Sequence, residues 1–167
     1  MRKIPAEFME PYLGEKGGNP MRKILVAYIS RTGMTEKMAN YIAEGLRMTG
    51  HTVDVSKTTQ IQDETAMQGY DGYVLGCPTY HRDMTTGMKN FLFLAQRANL
   101  VGKIGGAFCS YTHSGESGPM IFDTMLHVYK MDMVDLGALN LKEHIIDTQE
   151  GIQACQDYGK AIGAKLE

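Results

Sequence analysis

Neither sign of charge dominates this chain of 167 residues: 17 lysines and arginines stand against 19 aspartates and glutamates. With no basic or acidic excess to draw a polyanion or a charged surface, neither a nucleic acid nor a membrane is expected as a partner. No apolar run approaches the roughly 18 residues that cross a bilayer, and residues 1–20 lack the apolar middle of a secretory signal. Metal-cradle spacing is missing too. Cys77, Cys109 and Cys155 are odd in number and far apart, with no CxxC. That spacing excludes a conventional zinc or iron–sulfur site and fits reduced thiols in a cytoplasm. The chain also lacks G-x-G-x-x-G after a strand and G-x-x-x-x-G-K-[ST] anywhere, the glycine-rich cradles of two common nucleotide folds.

What is present suits one domain with a full-sized core. Residues 1–20, "MRKIPAEFMEPYLGEKGGNP", hold three prolines and three glycines and read as an N-terminal extension. Its Ile4, Phe8, Met9, Tyr12 and Leu13 are expected to dock on a surface. "MRKI" recurs at 21–24, and the domain is expected over 21–167. Ile24 to Ile29 is an almost continuous apolar run, as for a strand covered on both faces. Met38, Ala39, Ile42, Ala43 and Leu46 then share one side of a helix that stops near Gly50. Val53 and Val55 mark a second strand, "GYVLGC" at 72–77 a third, "IGGAFCS" at 104–110 a fourth and "MVDLGAL" at 133–139 a fifth. Met88, Phe91, Leu92 and Ala95 define a second helix. Pro119 opens a third, with Ile121, Phe122, Met125, Leu126 and Tyr129 on its apolar side. Ile152, Cys155, Gly159, Ile162 and Leu166 form the face of a closing helix, its glycines allowing close approach to a sheet. Residues 57–69 are too polar to place. The alternation predicts an α/β doubly wound domain, a five-stranded parallel sheet in the order 2-1-3-4-5 with helices on both faces.

In such a sheet, ligands bind beyond the carboxyl ends of the strands, where the order reverses. That rule selects the loops after strands 1, 3 and 4. The first, "SRTGMT", places the hydroxyls of Ser30, Thr32 and Thr35 and the glycine Gly33 at the start of a helix. Three hydroxyls make a poor core. Together with unpaired first-turn amides they make a phosphate cradle that needs no lysine. The second loop, "CPTYHRD", projects Tyr80 from a proline-fixed turn, and the third, "SYTHSGESG", brings Tyr111, hydroxyls and glycine amides to the same rim. A flat aromatic ring carrying a phosphate tail would suit all three.

"SRTGMTEKMA" resembles the phosphate loop of flavodoxins and flavodoxin-like proteins, in which Ser/Thr-x-Thr-Gly-x-Thr wraps the phosphate of FMN. "LGCPTY" and "GKIGGAFCSYTHSGESG" resemble the family's two ring-binding loops, and "GIQACQDYGKAIGAKL" its closing helix. The likeness runs over residues 21–167 and implies a flavodoxin-like fold holding FMN. By that resemblance Ser30, Thr32, Gly33, Met34 and Thr35 hold the phosphate. Pro78, Thr79, Tyr80 and His81, with Ser110, Tyr111, Thr112, His113 and Gly115, line the isoalloxazine.

The likeness implies two functions. One is a cytoplasmic redox module passing electrons between partner proteins. The other is an FMN-dependent oxidoreductase of the quinone-reductase type, taking NAD(P)H and a quinone, with His81 or His113 as proton donor. No catalytic residue is assigned. Many one-electron flavodoxins carry a glycine in the second ring loop, where a peptide flips against the flavin; residues 80–86 contain none. Side-chain-bearing residues enter positive φ with difficulty, so strong support of a one-electron-reduced flavin is not expected. His51, His127 and His144 are read as lying away from the rim.

Overall fold

The computed structural model describes residues 21–167; the docking expected of residues 1–20 lies outside them. Strands form where apolar residues run on. β1 (Lys23–Tyr28), β2 (Thr52–Lys57), β3 (Gly72–Gly76) and β6 (Ile104–Tyr111) are the principal ones. They pair in parallel in the order β2-β1-β3-β6, so the order turns back at β1, with β2 on one side and β3 on the other. Successive strand residues point to opposite faces, and each face packs its own helices. Leu25, Ala27, Tyr73, Leu75 and Ala107 meet α2 (Thr86–Arg97) and α3 (Ser117–Asp123) on one side. Ile24, Val26, Tyr28, Val74 and Phe108 meet α1 (Met34–Met48) and α5 (Gln149–Lys165) on the other.

The expected fifth strand is real but divided. Asp132–Met133 (β7) pairs with Ile104 and Gly105, and Leu139–Lys142 (β8) pairs with Phe108 to Tyr111. Residues 134–138 leave the sheet between them, turning at Gly137 with φ +74°, so the seven-residue strand at 133–139 is corrected to two short ones. The third helix also departs from expectation. After Asp123 it widens into a π-turn at Thr124–Val128, with Tyr129 N–H donating to the Thr124 carbonyl. The extra residue rotates the end of the helix, leaving Met125 and Tyr129 in the core and Leu126 exposed rather than on the apolar side. The unplaced segment after β2 forms two short 3-10 turns, Thr58–Gln60 and Glu64–Met67.

The closing helix is close-packed by its glycines, but against α1 rather than the sheet. A Cβ on Gly159 would stand 2.2 Å from the Ile42 carbonyl oxygen, and one on Gly45 2.0 Å from that of Gln156. Backbone is the obstacle in both cases, so no side-chain rotation relieves it. His51 is buried beside this interface. Its Nδ1 lies 3.2 Å from the Arg22 amide and its Nε2 3.0 Å from the Gly163 carbonyl, so the ring bridges two backbones in a structural role. Cys77, Cys109 and Cys155 are free and buried. Burial pushes the Cys77 thiol up to about 11 and that of Cys155 to about 12, as suits inert thiols. Gly159→Ala should force α1 and α5 apart and destabilise the fold by about 1–3 kcal/mol, read as a lowered urea midpoint at unchanged m-value.

Candidate functional site

The loop between β1 and α1 begins as soon as β1 loses its neighbours. Ser30 turns back on it: its hydroxyl accepts from the Gly33 amide at 3.1 Å. Gly33 sits at φ +89° with open space where a Cβ would stand. The first intrahelical bond of α1 runs from the Lys37 amide to the Gly33 carbonyl. The amides of Met34, Thr35 and Glu36 therefore have no partner within the helix, and no side chain caps it. This is the positive end of a 15-residue helix.

The three hydroxyls part ways here. Ser30 shapes the turn. Thr32 is exposed and donates to Glu143 Oε1 at 3.3 Å. Thr35 is 1% exposed and turned inward, 2.7 Å from the fully buried Ser110 hydroxyl on β6. Its side chain ties the loop to the sheet, so what it presents to an anion is its amide.

The second loop is a hairpin. β4 (Thr79–Tyr80) and β5 (Asp83–Met84) pair antiparallel around His81 and Arg82, at φ 51° and 59°. Positive φ at both central residues is the turn whose twist matches a two-residue hairpin. The backbone thus adopts at two side-chain-bearing residues the left-handed conformation that the absence of glycine was expected to disfavour. That expectation is corrected: pairing of the flanking strands and the anchoring of Asp83 outweigh a local cost of about 1–2 kcal/mol per residue. The Asp83 carboxylate bonds the Lys89 ammonium and the Met84 amide, and the lysine holds its carboxyl below the usual range.

Ser117 joins this hairpin to the third loop. Its amide donates to Thr79 Oγ1 at 3.1 Å, and its hydroxyl accepts from Thr79 at 2.8 Å. The same hydroxyl reaches the carbonyls of Pro78 at 3.1 Å and Asp83 at 3.2 Å. Ser117 is wholly buried and Thr79 8% exposed. Asn140 on β8 supports the third loop from below, accepting from the Cys109 thiol at 3.0 Å, and Gly118 leaves room for it. Glu116, at the head of α3, has one buried carboxylate oxygen with no partner among the described residues.

Between the two loops lies a cleft of about 400 Å³ walled by Thr79, Tyr80, His81 and Arg82 on one side and Thr112, His113 and Ser114 on the other. A second recess of about 380 Å³ shares Thr112 and runs to Met34, Glu143 and His144. Thr112 lines both, so the recess lies between the cleft and Met34 at the head of α1. Of the residues singled out in the sequence, Thr79, Tyr80, His81, Thr112 and His113 line the cleft, and Met34 the recess. Pro78 and Ser110 are buried beneath. Tyr111 sets its ring beside Gly115, where a Cβ would stand 3.0 Å from it, and is not among the residues walling the cleft. His144, read as distant from the rim, lies on it, because β8 ends at the same sheet edge. Arg31, Glu143 and Ser117 were not singled out. The Arg31 guanidinium stands 5.1 Å over the Tyr80 ring and links the first loop to the hairpin.

The chain is similar to known proteins. The family model described as the flavodoxin domain matches residues 25–140. A flavodoxin from Clostridium saccharobutylicum is 34% identical over 86 residues, 52% of this chain and 54% of that protein, so the match spans about half of that relative. An NAD(P)H dehydrogenase (quinone) from a Bradyrhizobium species is 34% identical over 143 residues, covering 70% of this chain and 71% of that protein. Among solved structures, a flavodoxin from the domain Archaea superposes with a TM-score of 0.77 at 27% identity, covering 86% of this chain and 98% of that one.

Ser117→Ala should remove the hydroxyl that satisfies Thr79 and leave two loop carbonyls short of a donor. The expected loss is about 1–3 kcal/mol of stability, seen in chemical denaturation, with faster hydrogen exchange at residues 79–84 and 115–118 than elsewhere in the domain.

Proposed function

We propose a function from an established premise: the chain belongs to the flavodoxin domain family. It is an FMN-binding redox protein that transfers electrons between partner proteins. What carries the reading is the uncapped head of α1 at Gly33, with a recess at Met34 beside it and a cleft between two loops next to that, Thr112 lining both. A flat ring with a phosphate tail suits that combination.

The residues fit FMN chemically. Open space at Gly33 lets a phosphate approach the backbone. The Ser30 and Thr32 hydroxyls and the amides of Met34, Thr35 and Glu36 would supply its donors, with Gly33 letting the phosphate approach. Thr79, Tyr80, His81, Thr112 and His113 would flank the ring, with Pro78, Ser110, Tyr111 and Gly115 shaping the loops behind them. Bound FMN would supply one- and two-electron redox chemistry that no side chain here can provide. The protein's own share is to hold, orient and shield. Burial of Ser117 and Thr79 keeps the two loop backbones at a fixed separation, and the Arg31–Tyr80 contact sets the hairpin against the phosphate loop. Among the described residues no helix is long and apolar enough to cross a membrane, and a cytoplasmic setting with soluble redox partners suits the reading.

A second reading is favoured by one observation. The relatives named NAD(P)H dehydrogenase (quinone) match 70% to 83% of this chain, against 52% for the Clostridium flavodoxin. On that reading the protein is an enzyme taking NAD(P)H and a quinone. The exposed His81 imidazole at the cleft rim is then placed to give or take a proton.

Thr32→Ala should weaken FMN binding about tenfold or more, since a hydrogen bond to a charged group contributes roughly 1.5–3 kcal/mol. Riboflavin, which lacks the phosphate, should bind the variant and the parent alike. Calorimetric titration giving equal FMN affinities would remove the phosphate-loop assignment. Anaerobic mixing of the FMN-loaded protein with NADH or NADPH then separates the two readings: rapid bleaching with quinone-dependent turnover marks the enzyme, and none marks the carrier.

A further inference from the structure

Glu143 opens the short helix α4 (Glu143–Ile146) and comes directly after β8. Lys142 pairs with Tyr111 at the carboxyl end of β6, so the sheet delivers the next side chain to the edge that carries the phosphate loop. There the half-buried Glu143 accepts from the Thr32 hydroxyl at 3.3 Å and lines the recess with Met34, Thr112 and His144. No cation pairs with it among the described residues. The α1 lysine on this side, Lys37, is taken by Asp147, which also accepts from Tyr41. A negative charge is therefore left unneutralised beside the donors that an incoming phosphate would use.

We propose that Glu143 is a built-in competitor of the cofactor phosphate, setting how tightly this chain holds FMN relative to uncharged flavins. The inference rests on the FMN reading above. A hydroxyl has one proton to give. Thr32 gives it to the Glu143 carboxylate, and a phosphate can receive it only if Glu143 releases it. Once displaced, Glu143 still faces a group of like sign across the recess, and like charges in a partly enclosed site repel. Riboflavin carries no charge and makes no demand on Thr32, so the penalty falls on FMN alone. Glu143 is thus a specificity-determining residue of negative sign. Its presence lowers affinity for the phosphorylated flavin and makes the cofactor more readily exchanged.

The test is a pair of titrations, FMN and riboflavin, tracked by quenching of flavin fluorescence with the full chain freed of cofactor at low ionic strength. Glu143→Gln keeps the size of the side chain and an oxygen for Thr32 to donate to, while removing the charge. It should tighten FMN about threefold to tenfold, the scale of a partly screened unit-charge interaction, and leave riboflavin unchanged. The gain should shrink as salt is added. Glu143→Ala, which removes the acceptor as well, should tighten FMN at least as much. Unchanged or weaker FMN binding in both variants would overturn the proposal while leaving the FMN reading intact. Equal tightening of FMN and riboflavin would also overturn it, since the effect would not act on the phosphate. A parent protein that binds neither flavin would overturn the FMN reading, and this inference with it.

Discussion

A buried hydroxyl with three oxygen partners, that of Ser117, holds the working edge of this domain together. A parallel sheet ends all its strands on one side, where the ladder stops and polar backbone must find other partners or water. At the ends of β3 and β6 those partners are a serine and a threonine. Ser117 and Thr79 exchange hydrogen bonds in both directions, and the serine hydroxyl reaches two further carbonyls on the opposite loop. Because both residues are buried, water cannot replace a lost partner, and each bond is costly to leave unmade. The cleft keeps its width for that reason, whatever occupies it.

The same device recurs one strand over. Thr35 and Ser110 meet at 2.7 Å in the interior and pin the head of α1 to β6. The "SRTGMT" loop therefore does two kinds of work with similar residues. Thr35 anchors through its side chain, Ser30 sets the turn, and Thr32 remains outward. From sequence these hydroxyls look equivalent, since spacing alone does not say which way a threonine faces once a helix has begun. The partner on β6 decides it.

Much of the architecture was legible because it depends on local patterns. Continuous apolar runs mark β1 and β3 as doubly covered, and the 3- and 4-residue spacing of Met38, Ile42 and Leu46 marks α1. Features set by partners distant in sequence were not. The excursion at 134–138 depends on where β6 stops accepting a neighbour, and the exposure of Leu126 on a single extra residue in a π-turn. The left-handed backbone at His81 and Arg82 depends on strand pairing across two residues, which no propensity scale includes. Glu143 and His144 were passed over for a related reason. The register of β8 against β6, invisible in an isolated segment, carries them to the rim.

Four side-chain pairings can be compared at this edge: Ser117 with Thr79, Thr35 with Ser110, Arg31 with Tyr80, and Thr32 with Glu143. They are not of equal strength. The first two are buried hydroxyl pairs, whose rupture would strand polar atoms away from water. The third is a cation over an aromatic face with an exposed arginine, worth about 0.5–1 kcal/mol. The fourth is longer, at 3.3 Å, and its threonine is exposed, so water takes over either partner at little cost. A ligand entering the recess will therefore rearrange the fourth contact first, shift the third only if the hairpin must move, and leave the buried pairs alone. Adaptability is thus confined to the side of the α1 head, and rigidity to the side of the two loops after β3 and β6.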